Sequence, residues 1–526
     1  MIGNKAVESR LNIAPIISNK MMEAIDLWSK MYTDEAPWLH EATMSDPINI
    51  VSLGLPAMIA SEKARTALIE MQSEITVKVD KEVTPEEENS VVPSNPRIEY
   101  MNKEYQERLL PKLRTQIEYG IAKGGLIIKP YLVLDKNPKQ EQEEGNDKQN
   151  YKFAFDFIQA DGFYPVSFNS SGEITECVFV QCKQDKNTVY TRLEHHKLEN
   201  TRVTVKNFAF KTTNNAQFTQ ATLDIPDLGK EIPLSDVPEW KDLKPQITID
   251  NVNKLLIGYF KMPDANTVDP KSPLGVSGFS RAVSNIKQAD LQYSRLLWEY
   301  EAGEMAIDID RDALQYMTDE SGKTYEKPSI LQERLFRKID LGESDTYQPY
   351  NPTLRDSSFT AGLNTILMRI EDQCSLSRGT LSDPATEART ATELKILKQR
   401  TYIANFYVQQ AIQKALEDVV YAMDVYCSLY DVNGDVENEA DVNTVNGIGQ
   451  YDVSFEWDDS IITDVNEEMN KKLTLMQNGL YSKVEMRMWY FGETESQAVE
   501  ALQKIQADAL AQQSEQMMME QKYGNA

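Results

Sequence analysis

Groups able to do chemistry are scarce in this chain. Its histidines are His40, His195 and His196, and its cysteines are Cys177, Cys182, Cys374 and Cys427. Three histidines supply a nucleophile–histidine–carboxylate constellation poorly. Neighbouring residues on a strand point to opposite faces, so His195 and His196 are badly placed to share one metal ion. Cys177 and Cys182, five apart on an expected strand, are separated in the same way. The four scattered thiols read as reduced cysteines of a cytosolic setting. Asp458 and Asp459 could hold a hard cation, although solvent-facing acids are the commoner reading of such a pair. No phosphate-cradling G-x-x-x-x-G-K-[ST] loop occurs, which removes the backbone nest and lysine of a nucleotide hydrolase. The chain reads as a non-enzyme with no catalytic residue, no metal site and no cofactor.

Charge narrows the partners. With 82 acids against 55 bases the formal net charge is −27, which argues against a protein that wraps nucleic acid by neutralising phosphates. Between Asp431 and Asn470 there are twelve acidic residues and no Lys or Arg. Taken alone, that stretch reads as a solvated acidic surface. Its sharper reading is an electronegative wall past which DNA can slide without sticking.

The elements that must position these groups follow from length and patterning. A chain of 526 residues, 41% apolar and 26% charged, is folded and too long for one core, so several subdomains are expected. No run of 18 or more uncharged apolar residues is present, so no membrane span is expected. The opening MIGNKAVESRLNIAPIISNK lacks the apolar core and cleavage site of a signal peptide. Residues 1–75 read as helical, with LWSKMYTDEAPW carrying aromatic anchors and ASEKARTALIEMQSEI forming an amphipathic helix. Tyr100 to Lys123 is again helical, with Leu109, Leu110, Leu113, Ile117 and Ile121 at helical spacing, and Gly124-Gly125 stops it. Five β-like runs come next (LIIKPYLVL, FAFDFIQADGFYPVSF, EITECVFVQCK, NTVYTRLEHHKL and RVTVKNFAFK), the pattern of a β-meander. The polar linker DKNPKQEQEEGNDKQN between the first two is expected to be exposed.

A Pro/Gly-rich hinge, DANTVDPKSPLGVSGFS, opens a helix from about Ser280 to Glu304. Val283, Ile286, Tyr293, Leu297 and Tyr300 form its apolar stripe, and Asp290 breaks it. A second bundle-type helix starts near Asp356, with Phe359, Leu363, Ile366, Leu367 and Ile370. Residues 305–354 between them hold strand-like MAIDI and RLFRKIDL and a turn at DESGK. Two packed helices therefore bracket a small α/β excursion.

Next comes the loop SLSRGTLSDPATEAR and an uninterrupted helix from Thr392 to Tyr430, roughly 58 Å long at ~1.5 Å per residue. That exceeds the ~11–12 residue mean for globular helices several-fold. Thr390 and Glu393 can form a capping box at its start. Val408, Ile412, Leu416, Val419 and Met423 lie on one side, Ile403 and Tyr407 toward another, so burial on more than one face is expected. YDVSFEWDD reads as a strand. The remainder reads as three helices with Asn478-Gly479 and Phe491-Gly492 as C-caps, and a frayed tail after Gln512.

Taken in order, GGLIIKPYLV, FDFIQADGFYPVSFNSSGEITECVF, SPLGVSGFSRAVSNIKQADLQYSRLLWEYEAGE, the GT…RTATEL block and NGLYSKVEMRMWYFGETESQAVEAL resemble the portal proteins of tailed siphophages that infect Gram-positive bacteria. The resemblance extends over nearly the whole chain. It implies an α+β, mainly α architecture: a wing at 1–276 and 392–460, stem helices at 277–304 and 355–377, and a clip at 305–354. A tunnel loop would occupy 378–391 and a helical crown 461–526.

By the same resemblance, subunits form a closed homo-oligomeric ring, a dodecamer, at one capsid vertex of the virion, after assembly in the host cytoplasm. The ring is a conduit for double-stranded DNA and works with a separate large terminase, head–tail adaptors and the major capsid and scaffolding proteins, without contacting a membrane. Arg378, Thr380 and Arg389 in the loop and Lys395 and Lys398 at the helix start would face the channel. Arg334, Arg337 and Lys338 in the clip would dock partners. A grip on phosphate by the loop arginines competes with salt bridges to Glu387 or Glu393. The alternative reading is a structural capsid or baseplate component without a DNA channel. A DNA-processing enzyme is disfavoured by the missing motifs.

Overall fold

A computed structural model describes residues 4–39, 50–69, 71–78, 95–134, 151–186, 188–213, 228–310, 316–318, 321–322, 324–326, 336–339, 347–383, 391–430, 447–457, 465–491, 501–502 and 504–505. The chain divides into two compact units, 1–456 and 457–526. It mixes helices and strands in an α+β fold.

The first unit opens with α1 (Asn4–Leu11) and α2 (Asn19–Tyr32). The Ser18 hydroxyl caps α2 by accepting from the Met21 amide, and Met21, Ile25, Trp28 and Met31 form its buried stripe. Helix α3 (Leu55–Leu68) is shorter than the sequence predicts. Residues expected to continue it form β1 (Met71–Val77), in which Ser73 and Ile75 alternate inward. A helical pattern read to Ile75 fails because MQSEITV has a period of two and finds a strand partner further along the chain. Next, α4 (Pro96–Glu104) runs through a π turn at Tyr105–Leu109 into α5 (Leu110–Lys123). The wider turn lies where the Pro111 ring would otherwise press on the carbonyl four residues back. Gly124, at φ +91°, ends this helix as expected.

The five β-like runs do not make one meander. Strands β2 (Gly125–Leu134) and β3 (Tyr151–Gln159) pair with each other, and a 3-10 turn at Ala160–Gly162 breaks FAFDFIQADGFYPVSF in two. Beyond it, β4 (Phe163–Phe168), β5 (Ile174–Asp185), β6 (Thr188–Glu199) and β7 (Arg202–Thr213) form a true antiparallel meander. The far edge of β7 is shared by β8 (Lys230–Ile232) and β9 (Gln246–Asp250). Strand β10 (Gly258–Lys261) returns to the first sheet and pairs with β2.

The chain then enters α6 (Val283–Ala302), leaves through five short strands, and returns as α7 (Asp356–Gln373). In the excursion β11 (Ala306–Asp310) pairs with β14 (Phe336–Ile339) in parallel and β15 (Tyr347–Tyr350) antiparallel. Strands β12 (Tyr316–Thr318) and β13 (Thr324–Glu326) make a hairpin around the expected turn. Among the described residues this segment holds the expected strands, and residues 311–315, 319–320, 323, 327–335 and 340–346 lie outside the described residues.

Helix α8 (Ala391–Leu429) matches its expected length within a residue at each end. Val408, Ile412, Leu416, Val419 and Met423 are all fully or almost fully buried. This half lies on β10 and β2. A Cβ on Gly258 would sit 2.2 Å from the Ala415 carbonyl oxygen, so only glycine permits this approach. Strand β16 (Tyr451–Trp457) then pairs with β1.

The second unit contains α9 (Val465–Gln477) and α10 (Lys483–Phe491). Gly479, at φ +71°, lies just beyond α9. Ser482 and Glu485 exchange side-chain-to-amide hydrogen bonds at 3.0 and 2.7 Å, a capping box for α10. Among the described residues no helix is long and apolar enough to cross a membrane. The linker 135–150, most of the acidic stretch, Asp458, Asp459, His40, Thr390, Gly492 and the tail lie outside the described residues.

Candidate functional site

Helices α6 and α7 lie antiparallel. Asn285 donates to Gln373 at one end (2.9 Å), and Arg355 clasps Glu299 at the other, Nε to Oε1 at 3.0 Å and Nη2 to Oε2 at 2.6 Å. Those hydrogen bonds hold the Glu299 carboxyl below its usual range. The same two residues close the neck of the excursion.

The face that α6 buries is not the expected one. Of its anticipated stripe only Ile286 is fully buried; Leu297 and Tyr300 are exposed, along with Trp298. Asp290, Ser294 and Glu299 face inward instead. Asp290 accepts from the Trp38 indole (2.9 Å) and the Leu53 amide (3.0 Å), and Ser294 accepts from the Val51 amide (2.8 Å). Polar side chains go inside because the segment at 51–53 and Trp38 present donors that need acceptors. The residue that broke the apolar pattern is the one the packing uses.

At its C-terminus α7 makes a Schellman turn, with Ser375 left-handed at φ +57° and the Leu376 amide donating to the Glu371 carbonyl at 2.9 Å. The Glu371 side chain is fully buried and organises the base of the loop beyond this turn. Its Oε1 accepts from the amides of Gly379 (3.1 Å), Leu381 (2.6 Å) and Ser382 (2.8 Å), and its Oε2 from the Ser382 hydroxyl (2.8 Å). Gly379, at φ +88°, supplies the left-handed backbone that turns these amides inward. Two further ties hold the base of the loop: the Ser377 and Thr401 hydroxyls lie 2.8 Å apart, and the Asp383 amide donates to Asn364 at 2.9 Å.

Of the residues singled out for phosphate contact, Arg378 and Thr380 lie on this base and are exposed. Arg378 pairs with Asp372 at 3.1 Å, and the Thr380 hydroxyl donates to the Ser377 carbonyl at 2.6 Å. They share a turn, each tied to its own neighbour. Arg389, Arg334 and Glu387 lie outside the described residues. Lys395 and Lys398 fall in the opening turns of α8, and Arg337 and Lys338 in β14 opposite Asp308 and Ile309, but their side chains, like that of Glu393, lie outside the described residues.

A scan against protein-family models gives no match for this chain, and a search of curated proteins gives none.

The histidines divide as alternation requires, His195 pairing with Glu176 (2.8 Å) and His196 with Glu194 (2.7 Å). Burial pushes His195 below its ordinary value and pushes the Cys177, Cys182, Cys374 and Cys427 thiols up. Among the described residues no group of His, Cys, Asp and Glu is arranged to hold a metal ion. Glu371 is not recognisable as a functional position from the sequence. Its one sequence signal is an acid in the last turn of a helix, succeeded by a short run of Gly, Thr and Ser.

Proposed function

We propose that this chain is the subunit of a portal-type ring, a closed homo-oligomer of twelve through which double-stranded DNA enters and leaves a capsid. The resemblance along the sequence motivates the reading, and one observation carries it. The bracketing helix α6 hides polar residues and presents Leu297, Trp298 and Tyr300 to solvent, while the front of α8 presents Ile403, Phe406 and Tyr407. Trp298 is 51% and Tyr407 54% exposed in the single chain. Large apolar side chains clustered on two long helices suit contact with neighbouring subunits, each meeting the next head to tail.

In this reading α6 and α7 form the stem and the strands at 305–354 the clip that docks terminase and head–tail adaptors. The loop after Glu371 lines the channel, and 461–526 forms a crown. The protein is not an enzyme; a separate terminase drives DNA, and the ring occupies one vertex of the virion beside capsid and scaffolding proteins. Negative-stain images of the purified full chain test it. Rings of about twelve copies with a central hole are expected; a monodisperse monomer at micromolar concentration overturns the proposal.

A further inference from the structure

The first sheet and the meander part company at Gly162. Strand β4 pairs with β5 no further than Phe163 opposite Phe179, and a cavity of about 310 Å³ opens beyond that point. Its walls include Lys129 of β2, Asp156 and Gln159 of β3, Gln181 of β5, and Arg192 and Glu194 of β6.

Glu194 is the centre of the inner wall. Lys129 donates to both its oxygens at 2.9 and 2.8 Å, and Arg192 Nη2 donates at 2.9 Å. Burial alone would raise this carboxyl, but Lys129, His196 and Arg192 hold it well below the usual carboxylate range. An ionised carboxylate only accepts, so His196 Nε2 donates its proton to it at 2.7 Å. Two buried cations therefore surround one buried anion. The nearest second acid, Asp156, lies 3.6 Å from Lys129 with its side chain 39% exposed, and takes the Tyr131 hydroxyl at 3.2 Å.

Among the described residues the inner wall is left with one unpaired donor, the Arg192 Nε–H. Arg192 is 8% exposed, yet its Nε–H has no hydrogen-bond partner among the described residues. Five buried side-chain atoms there lack a partner, and three of them are Arg192 Nε, His196 Nδ1 and the acceptor Asn207 Oδ1, the last directly across the ladder from Glu194. Buried polar groups in native proteins are almost always satisfied, and Arg192 is the one of these that faces the cavity.

We propose that this cavity binds a small oxyanion, a carboxylate or phosphate group, through the Arg192 Nε–H and the Lys129 ammonium. A guanidinium edge matches such a group, and the bonds are charge-assisted. The volume is ample for such a group. The Phe179 ring, 5.7 Å from Lys129 Nζ, backs the ammonium. The site does not depend on the ring assembly proposed above.

Isothermal titration of the full chain with inorganic phosphate and with succinate, in chloride buffer of matched ionic strength, tests this. Saturable binding of either is expected, and the one that saturates names the source of the oxyanion. Arg192→Gln should weaken it at least about tenfold, the loss of a charge-assisted donor. Since Arg192 is buried, Gln181→Glu serves as the second variant. Gln181 is exposed, lies opposite Arg192 in register, and lines the cavity, so a carboxylate there should repel the anion to a similar degree while leaving the inner network intact. No saturable binding of either probe, which would mean water fills the space, overturns the proposal. Undiminished affinity in Gln181→Glu overturns it as well.

Discussion

The indole of Trp38 donates to Asp290 at 2.9 Å, joining residues 252 positions apart. With the Leu53 amide on the other oxygen, this acid pins the N-terminal region to α6. Asp290→Ala leaves the buried Trp38 indole and the part-buried Leu53 amide unpaired and should cost about 2–6 kcal/mol, at 1–3 kcal/mol per unsatisfied group. Asp290→Asn keeps one acceptor and should cost less. Chemical denaturation of the two variants beside the wild type measures the order.

The same residue makes a pH prediction. Burial raises the Asp290 carboxyl above its ordinary value despite the two donors. A group whose folded value is raised contributes stability below its unfolded value and loses it as pH rises through the folded one. Wild type should therefore gain on Asp290→Asn as pH falls from neutral toward about 4, the ordinary carboxylate range. Melting temperatures across that window check it, and a difference that is flat or shrinks toward acid would contradict the assignment.

Glu371 should control the order of the loop base. Glu371→Gln leaves one carbonyl oxygen where two carboxylate oxygens take four hydrogen bonds. Amide exchange at Gly379, Leu381 and Ser382 should accelerate by about 10–100-fold, equivalent to losing a charged acceptor worth ~1.5–3 kcal/mol. Unchanged protection at all three amides would remove Glu371 as the organiser.

Gly258 separates a steric requirement from a conformational one. Gly258→Ala places a methyl 2.2 Å from the Ala415 oxygen and 2.5 Å from Val419 Cγ2, forcing α8 off β10. Overpacking of this kind should cost about 1–3 kcal/mol or more. Gly172→Ala is the contrast: φ is +77° and nothing lies within 4 Å, so only backbone strain of about 1 kcal/mol is expected. Equal effects at both sites would deny the close contact.

Arg378→Gln tests the functional reading at the loop. Its pair with Asp372 is 52% exposed on the arginine side, so folding should change by no more than ~1 kcal/mol. If the proposed portal reading holds and the loop touches passing DNA, particles built with this variant should assemble rings yet package more slowly. Packaging at the normal rate would leave Arg378 as a surface ion pair.

Much of the architecture is legible in local pattern. The paired helices around 305–354, the turn near Gly322, the stop at Gly124 and the buried side of α8 all come from periodicity and glycine placement. Pattern fails where one run spans two structures. FAFDFIQADGFYPVSF reads as one β-like run, but its halves belong to different sheets, because the 3-10 turn at Ala160–Gly162 redirects the chain. MQSEITV reads as the end of a helix because its strand partner lies some 380 residues on, in β16.

Residue order by itself determined element types over most of the chain, through spacing that depends only on 3.6- and 2-residue periods. Tertiary structure decided which polar groups are buried. In the sequence Asp290 is a flaw in a stripe, Glu371 a helix-end acid, and Glu194 one of many carboxylates. Each becomes a centre only when donors from distant segments arrive: Trp38 and Leu53, the amides beyond Gly379, and Lys129 with Arg192. A buried carboxylate is tolerable only where such donors converge, and convergence is a property of the packed chain.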